Sequence, residues 1–218
     1  MTTLIINEKL LREPYCVYIP DSSFQDLLDF ANEDISCELL DGVLVIHSPA
    51  SFTHESIFKL LLILLELFGQ QKNLGRPIGS RFIMKLSDKW SPEPDILFIT
   101  HKEEQSLTET YLNGPAPMVV EILSKSNRKE DLDRKLPQYL SHGVKEVWIV
   151  DYLNKDVSIH WQDGFRDFSK DEWVESKIIP EFKVKTEWLW NAKDVSAWKA
   201  VKEIVGPLLN EIDNRGNE

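Results

Sequence analysis

The run Pro117-Met118-Val119-Val120-Glu121-Ile122-Leu123 constrains the fold more than any other stretch of the chain. A strand with one wet face alternates apolar and polar residues, whereas this one is apolar everywhere except Glu121, as expected of a strand covered on both faces. Such strands lie in sheets with helices packed on both sides, so the chain reads as α/β. An unpartnered carboxylate in that setting would cost several kcal/mol or take up a proton. Glu121 therefore needs a partner.

The surrounding pattern supplies the rest of such a fold. Tyr15 to Ile19 alternates as a strand, and Asp21-Ser22-Ser23 offers capping oxygens to a helix carrying Phe24, Leu27, Leu28 and Phe30. Asp41-Gly42 between two apolar runs predicts a tight hairpin. After Ser48-Pro49-Ala50-Ser51, the residues Ile57, Leu60, Leu61, Leu64, Leu65 and Phe68 recur at helical spacing up to Gly69. Arg76 to Leu86 reads as one strand. Asp95 heads another, Ile96 to Ile99, behind a loop whose prolines cannot join a central ladder. Ser126-Asn127 caps a charged helix to about Ser141 in which Pro137 is out of place, and Val147 to Val150 is the next strand. Short antiparallel pieces follow to Val184, then a helix from Val195 bearing Trp198, Val201, Ile204, Val205 and Leu208.

The 218 residues make one domain over 1–210 with a frayed tail at 211–218. The most apolar run, Leu60 to Phe68, falls far short of the roughly 20 residues a membrane span needs, and the N-terminus lacks the pattern of a secretory signal. A cytoplasmic protein is expected. Cys16 and Cys37 show no metal-binding or redox spacing and read as reduced thiols. The net charge of −11 opposes general affinity for nucleic acid, although local clustering matters more than the sum. No glycine-rich phosphate or dinucleotide loop is present.

Asp95 and Glu121, acids at the ends of consecutive apolar strands, form the constellation that can carry chemistry. Magnesium prefers oxygen ligands and is commonly held by one or two carboxylates together with substrate phosphates. Downstream, the segment KSNRKEDLDRK supplies Lys125, Arg128, Lys129 and Arg134 as candidate phosphate ligands. The plain alternative is that Asp95 caps a turn, Glu121 pairs with a buried cation, and the charged helix simply faces water.

Several blocks, in order, resemble one family: Glu38 to Gly42 (E-x-x-x-G), Ser48 to His54 (S-P-A-S-x-x-H), Pro94 to Ile99 (P-D-I-L-F-I), Val119 to Ser126 (V-V-E-I-L-S-x-S), Lys135 to Tyr139 (K-L-x-Q-Y) and Gly143 to Asp151. They are similar to the Uma-type family of restriction-endonuclease-like proteins, once a domain of unknown function, within the PD-(D/E)XK nuclease superfamily. The resemblance implies a restriction-endonuclease-like core, a mixed central β-sheet flanked by helices. It also implies a metal-dependent endonuclease acting on DNA, with Mg2+ as cofactor and Mn2+ as substitute. Asp95 and Glu121 match the metal-binding acids, with a backbone carbonyl near Ile122. Leu123 stands where the superfamily places its lysine, and Lys135 on the following helix matches the position that takes over. Glu38 resembles an additional acid and His54 aligns with the family's histidine. A homodimer suits cleavage of both strands of a duplex, with Trp188, Trp190 and Trp198 available for an interface or for the core. The rivals are a nuclease-fold domain that binds nucleic acid or a protein without turnover, and a metal-free hydrolase using Glu38 and Glu121 as an acid–base pair.

Overall fold

The computed structural model describes residues 15–31, 36–79, 82–124 and 130–215, of which 130–132 and 207–215 are described by their backbone alone. Its centre is a six-stranded mixed sheet built from β4 (Gly75–Gly79), β7 (Ile96–Thr100), β9 (Met118–Ile122), β10 (Glu146–Asp151), β11 (Asp156–Trp161) and β12 (Gly164–Phe168), in the order β12-β11-β10-β9-β7-β4. The β9–β10 pair is parallel and every other pair in the sheet is antiparallel. All five residues of β9 are buried, as its sequence requires.

Helices cover both faces. On one face, α2 (Phe52–Lys72) and α5 (Ala197–Arg215) pack with Ile96, Phe98, Val120, Ile122, Trp148 and Val150. The opposite face, formed by Leu97, Ile99, Val119, Leu123, Val147 and Ile149, is covered in part by α3 (Leu136–Ser141) through Tyr139. A pair of short strands, β5 (Ile83–Lys85) and β8 (Tyr111–Asn113), adds Met84 and Leu112 to this second core.

The N-terminal part forms a second sheet, β1-β3-β2-β6, from β1 (Cys16–Ile19), β2 (Cys37–Leu40), β3 (Val43–His47) and β6 (Trp90–Ser91), with α1 (Phe24–Phe30) against it. Ser23 caps α1 reciprocally with Asp26. The Asp41-Gly42 turn closes the expected hairpin, both residues taking positive φ (56° and 73°) as a two-residue loop demands.

Two expectations need correction. Arg76 to Leu86 is not one strand: β4 belongs to the central sheet and β5 pairs with β8, so the apolar run serves two surfaces. Gly69 does not end α2, which continues to Lys72 and stops at Asn73 in the left-handed conformation. Gly69 is needed for close approach instead, since a Cβ there would lie 2.6 Å from the Gly75 carbonyl oxygen.

The antiparallel extension appears as β11 and β12, followed by β13 (Trp173–Glu175) paired with β14 (Lys183–Lys185). A short α4 (Thr186–Trp190) precedes α5, whose backbone helix runs on to Arg215. Trp188 is buried, Trp190 packs at the edge of the core, and Trp198 is 65% exposed. No helix among the described residues is long and apolar enough to cross a membrane.

Candidate active site

Asp95 directly precedes β7, and Glu121 is the fourth residue of β9. Ile96 is paired with Val120, so one further step of the antiparallel register sets Asp95 opposite Glu121. Alternation puts both on the face that carries Leu97, Val119 and Leu123. Directly opposed residues in such a pair have Cβ atoms about 5 Å apart. Asp95 Oδ2 accepts the backbone N–H of Ile122 at 2.7 Å, which ties the head of one strand to the end of the other.

Glu121 has found its partner. Its Oε1 lies 2.9 Å from Lys135 Nζ and accepts the Tyr139 hydroxyl at 2.5 Å. Lys135 also reaches Glu38 Oε2 at 3.3 Å, and all three charged residues are at most 3% exposed. Burial pushes the Glu38 carboxyl up, but the charge of Lys135, together with the hydrogen bond and charge of His47, outweighs it and brings the pKa down to about 2. Burial first, and then the charge of Glu121, raise the Tyr139 phenol well above its usual value.

An irregular helix delivers the lysine. Residues Glu130–Lys135 form a π-helical segment that passes into α3, with Pro137 in the first turn of α3. Proline has no N–H to give to the preceding turn, and the helix answers by widening there, a distortion often seen at functional sites. Lys135 ends the wide turn facing the sheet, and Tyr139, four residues on, faces the same way. Arg134 donates one of its N–H groups to the Leu40 carbonyl at 3.0 Å and lies over the Trp90 ring, which fastens this helix to the second sheet. Lys125, Arg128 and Lys129 lie outside the described residues.

His54 sits in the first turn of α2, where Ser51 caps its backbone N–H, and its Nε2 lies 3.2 Å from Asp95. Helix start and site are thus joined in one residue. Burial lowers the imidazole pKa, but the hydrogen bond and charge of Asp95, helped by Glu55, raise it to about 9. Nδ1 is 3.4 Å from Glu55 Oε1 without hydrogen-bond geometry.

Two residues escaped the sequence reading. His47 donates through Nε2 to Glu38 Oε1 at 2.8 Å, and the Glu93 backbone N–H donates to Glu38 Oε2 at 3.3 Å. Burial and the nearby Glu38 charge push the Glu93 carboxyl up to about 8. The signal for His47 lay in the hairpin. A two-residue turn pairs Glu38 with Val45, so His47 stands diagonally across from Glu38 on the same face.

Among the described residues, no group of three or more His, Cys, Asp or Glu side chains is arranged to hold a metal. The donors that are present, two carboxylates from adjoining strands, match a hard cation that keeps several waters and takes substrate phosphate as a further ligand. They do not match an all-protein cage. Ile122, expected to offer its carbonyl, meets Asp95 through its amide.

The mixed sheet with helices on both faces, and with acids at the ends of adjoining strands, is an α/β architecture of the restriction-endonuclease-like kind. Residues 22–187 match the model of the Uma2 family, described as "Putative restriction endonuclease", and the chain belongs to that family. The blocks between residues 36 and 152 lie inside the matched region. A crystal structure described as a "putative nuclease belonging to DUF820", from Anabaena variabilis, has the same fold. Its TM-score is 0.68 at 17% identity, with 78% of this chain and 98% of that one covered. No curated protein matches this sequence.

Proposed function

We propose that the protein is a magnesium-dependent endonuclease that hydrolyses DNA phosphodiester bonds, acting in the cytoplasm as a homodimer. The observation that carries the reading is Lys135 Nζ at 2.9 Å from Glu121. An ammonium stands beside the metal-binding acid although the strand position two residues on is Leu123, sealed in the core at 0% exposure.

Asp95 and Glu121 would hold the ion, with Mn2+ as substitute and Ile122 adding backbone. When bound, such an ion polarises a phosphate and lowers the pKa of a water. The chain's own residues do the remainder. Lys135 orients the attacking water or meets the charge that develops on the phosphate. Glu38 holds Lys135, and His54 fixes the Asp95 carboxylate. Lys125, Arg128, Lys129 and Arg134 contact the DNA backbone, giving local positive charge to an acidic chain.

A metal-free acid–base pair draws no support from these groups. One member must carry a proton near neutrality; Lys135 and His47 hold Glu38 ionised, at about 2, which leaves that role to Glu121, itself 2.9 Å from the Lys135 ammonium. The buried Leu123 favours a second reading, a nuclease-fold domain that binds without turnover. Cleavage of plasmid and single-stranded DNA in magnesium or manganese decides between them. The proposal expects cleavage by wild type, none after chelation, and none by Asp95→Ala. Binding without cleavage would establish the second reading. Calorimetry with manganese should give a binding heat that Asp95→Ala and Glu121→Ala both lose.

A further inference from the structure

Two carboxylates compete for the Lys135 ammonium, and the structure shows how the contest is decided. Glu121 lies at 2.9 Å and Glu38 at 3.3 Å. Glu38 has other donors to satisfy: Oε1 accepts from His47 Nε2 at 2.8 Å, and Oε2 accepts from the Glu93 amide at 3.3 Å. Each bond spreads the Glu38 charge and weakens its hold on the ammonium. His47 is held in turn, for Cys16, its cross-strand partner on β1, sets Sγ 3.7 Å from Nδ1 and leaves Nε2 directed at Glu38.

We propose that His47 is a positioning residue for Lys135, acting through Glu38 to leave the ammonium on the Glu121 side of the site. The inference rests on the nuclease reading and extends it to a residue outside the matched site motifs. A row of direct contacts runs from His47 through the buried Glu38 and Lys135 to Glu121. Without His47 the Glu38 carboxylate keeps Lys135 as a charged partner and draws it away from the strand end. His47, 18% exposed, meets this row at Glu38, and its effect on the ammonium travels along it.

The test pairs cleavage kinetics with nitrogen-15 NMR of lysine-labelled protein, in which loss of a signal in Lys135→Met identifies the Lys135 ammonium. His47→Ala should move or broaden that signal and lower kcat about 10- to 100-fold with KM for DNA unchanged, the usual scale for groups that orient a reacting residue. His47→Gln, which keeps a donor for Glu38, should restore both. Should His47→Ala fail to fold, His47→Leu takes its place, filling the space without a donor. A wild-type Lys135 signal in the donor-less variant overturns the inference, as does a rise in KM at constant kcat. If wild type cleaves nothing while the signal moves and is restored as stated, the positioning stands and the nuclease reading falls.

Discussion

Glu121 and Glu146 are each 1% exposed, on the adjoining parallel strands β9 and β10, yet they serve opposite ends. Glu146 accepts hydrogen bonds from the Trp148 indole and the Ser176 hydroxyl, both at 2.7 Å, and from the Lys177 backbone N–H at 2.7 Å. These donors, indole, hydroxyl and amide, pin the segment before β14 to the sheet. Glu121 is met by a lysine and a phenol. Burial alone therefore does not mark a reactive acid. What distinguishes Glu121 is a mobile type of countercharge, an ammonium on a long side chain, next to a second acid at a neighbouring strand end.

The widest gap should appear in catalysis. Glu121→Gln is expected to lose about 1000-fold in DNA cleavage, the scale of removing one group aimed at developing charge, while Glu146→Gln stays within a few-fold of wild type in the same plasmid assay. Lys135→Met sharpens the contrast in stability. It removes the ammonium that two buried carboxylates share and should cost about 3–5 kcal/mol by urea denaturation. Glu146→Ala strands two buried donors, the Trp148 indole and the Ser176 hydroxyl, at about 2–3 kcal/mol, and below its lowered Tm the variant should still cleave.

The smallest effect is in pH, measured as Tm of the metal-free protein in chelator. Glu38, depressed in the fold to about 2, contributes stability above its unfolded pKa near 4.5 that is lost as pH falls toward 2. Glu93, raised to about 8, contributes stability that is full below 4.5 and lost as pH climbs to 8. His54 and His47, raised to about 9 and about 10 from 6.5, follow the same sign and are lost between 6.5 and those values. Stability should thus peak near pH 4.5, fall as pH drops toward 2, and fall on the other side through Glu93 first and through the two histidines above 6.5. His47→Gln should flatten the far alkaline limb, and an unchanged limb would show that Glu38 and His47 are not coupled.

What the chain revealed in advance follows from how local each signal was. The Asp41-Gly42 hairpin, the capped α1, the long α2 and the doubly covered β9 each declare themselves within a few residues. Glu121 stood out because its neighbours are all apolar. Glu146 did not, because it opens its strand beside Lys145 and resembles a surface residue, and two of its three donors arrive 30 and 31 residues later. The split of 76–86 was hidden for a related reason: an apolar run records that a surface is covered, not which sheet covers it. Lys135 was reached through resemblance to a family, since spacing alone gives no reason for a lysine beyond the strand to turn inward.

That turn depends on a helix wound more loosely than usual over Glu130–Lys135. Along an α-helix each residue advances about 100° around the axis, so the compass bearing of Lys135 relative to Tyr139 is set by the count of residues between them. Adding or removing a single amino acid between Lys135 and Tyr139 would swing the ammonium round the helix barrel while sparing the sheet. The chain's reactive geometry is therefore written in arithmetic as much as in residue identity, and an insertion here is a sharper lesion than many substitutions.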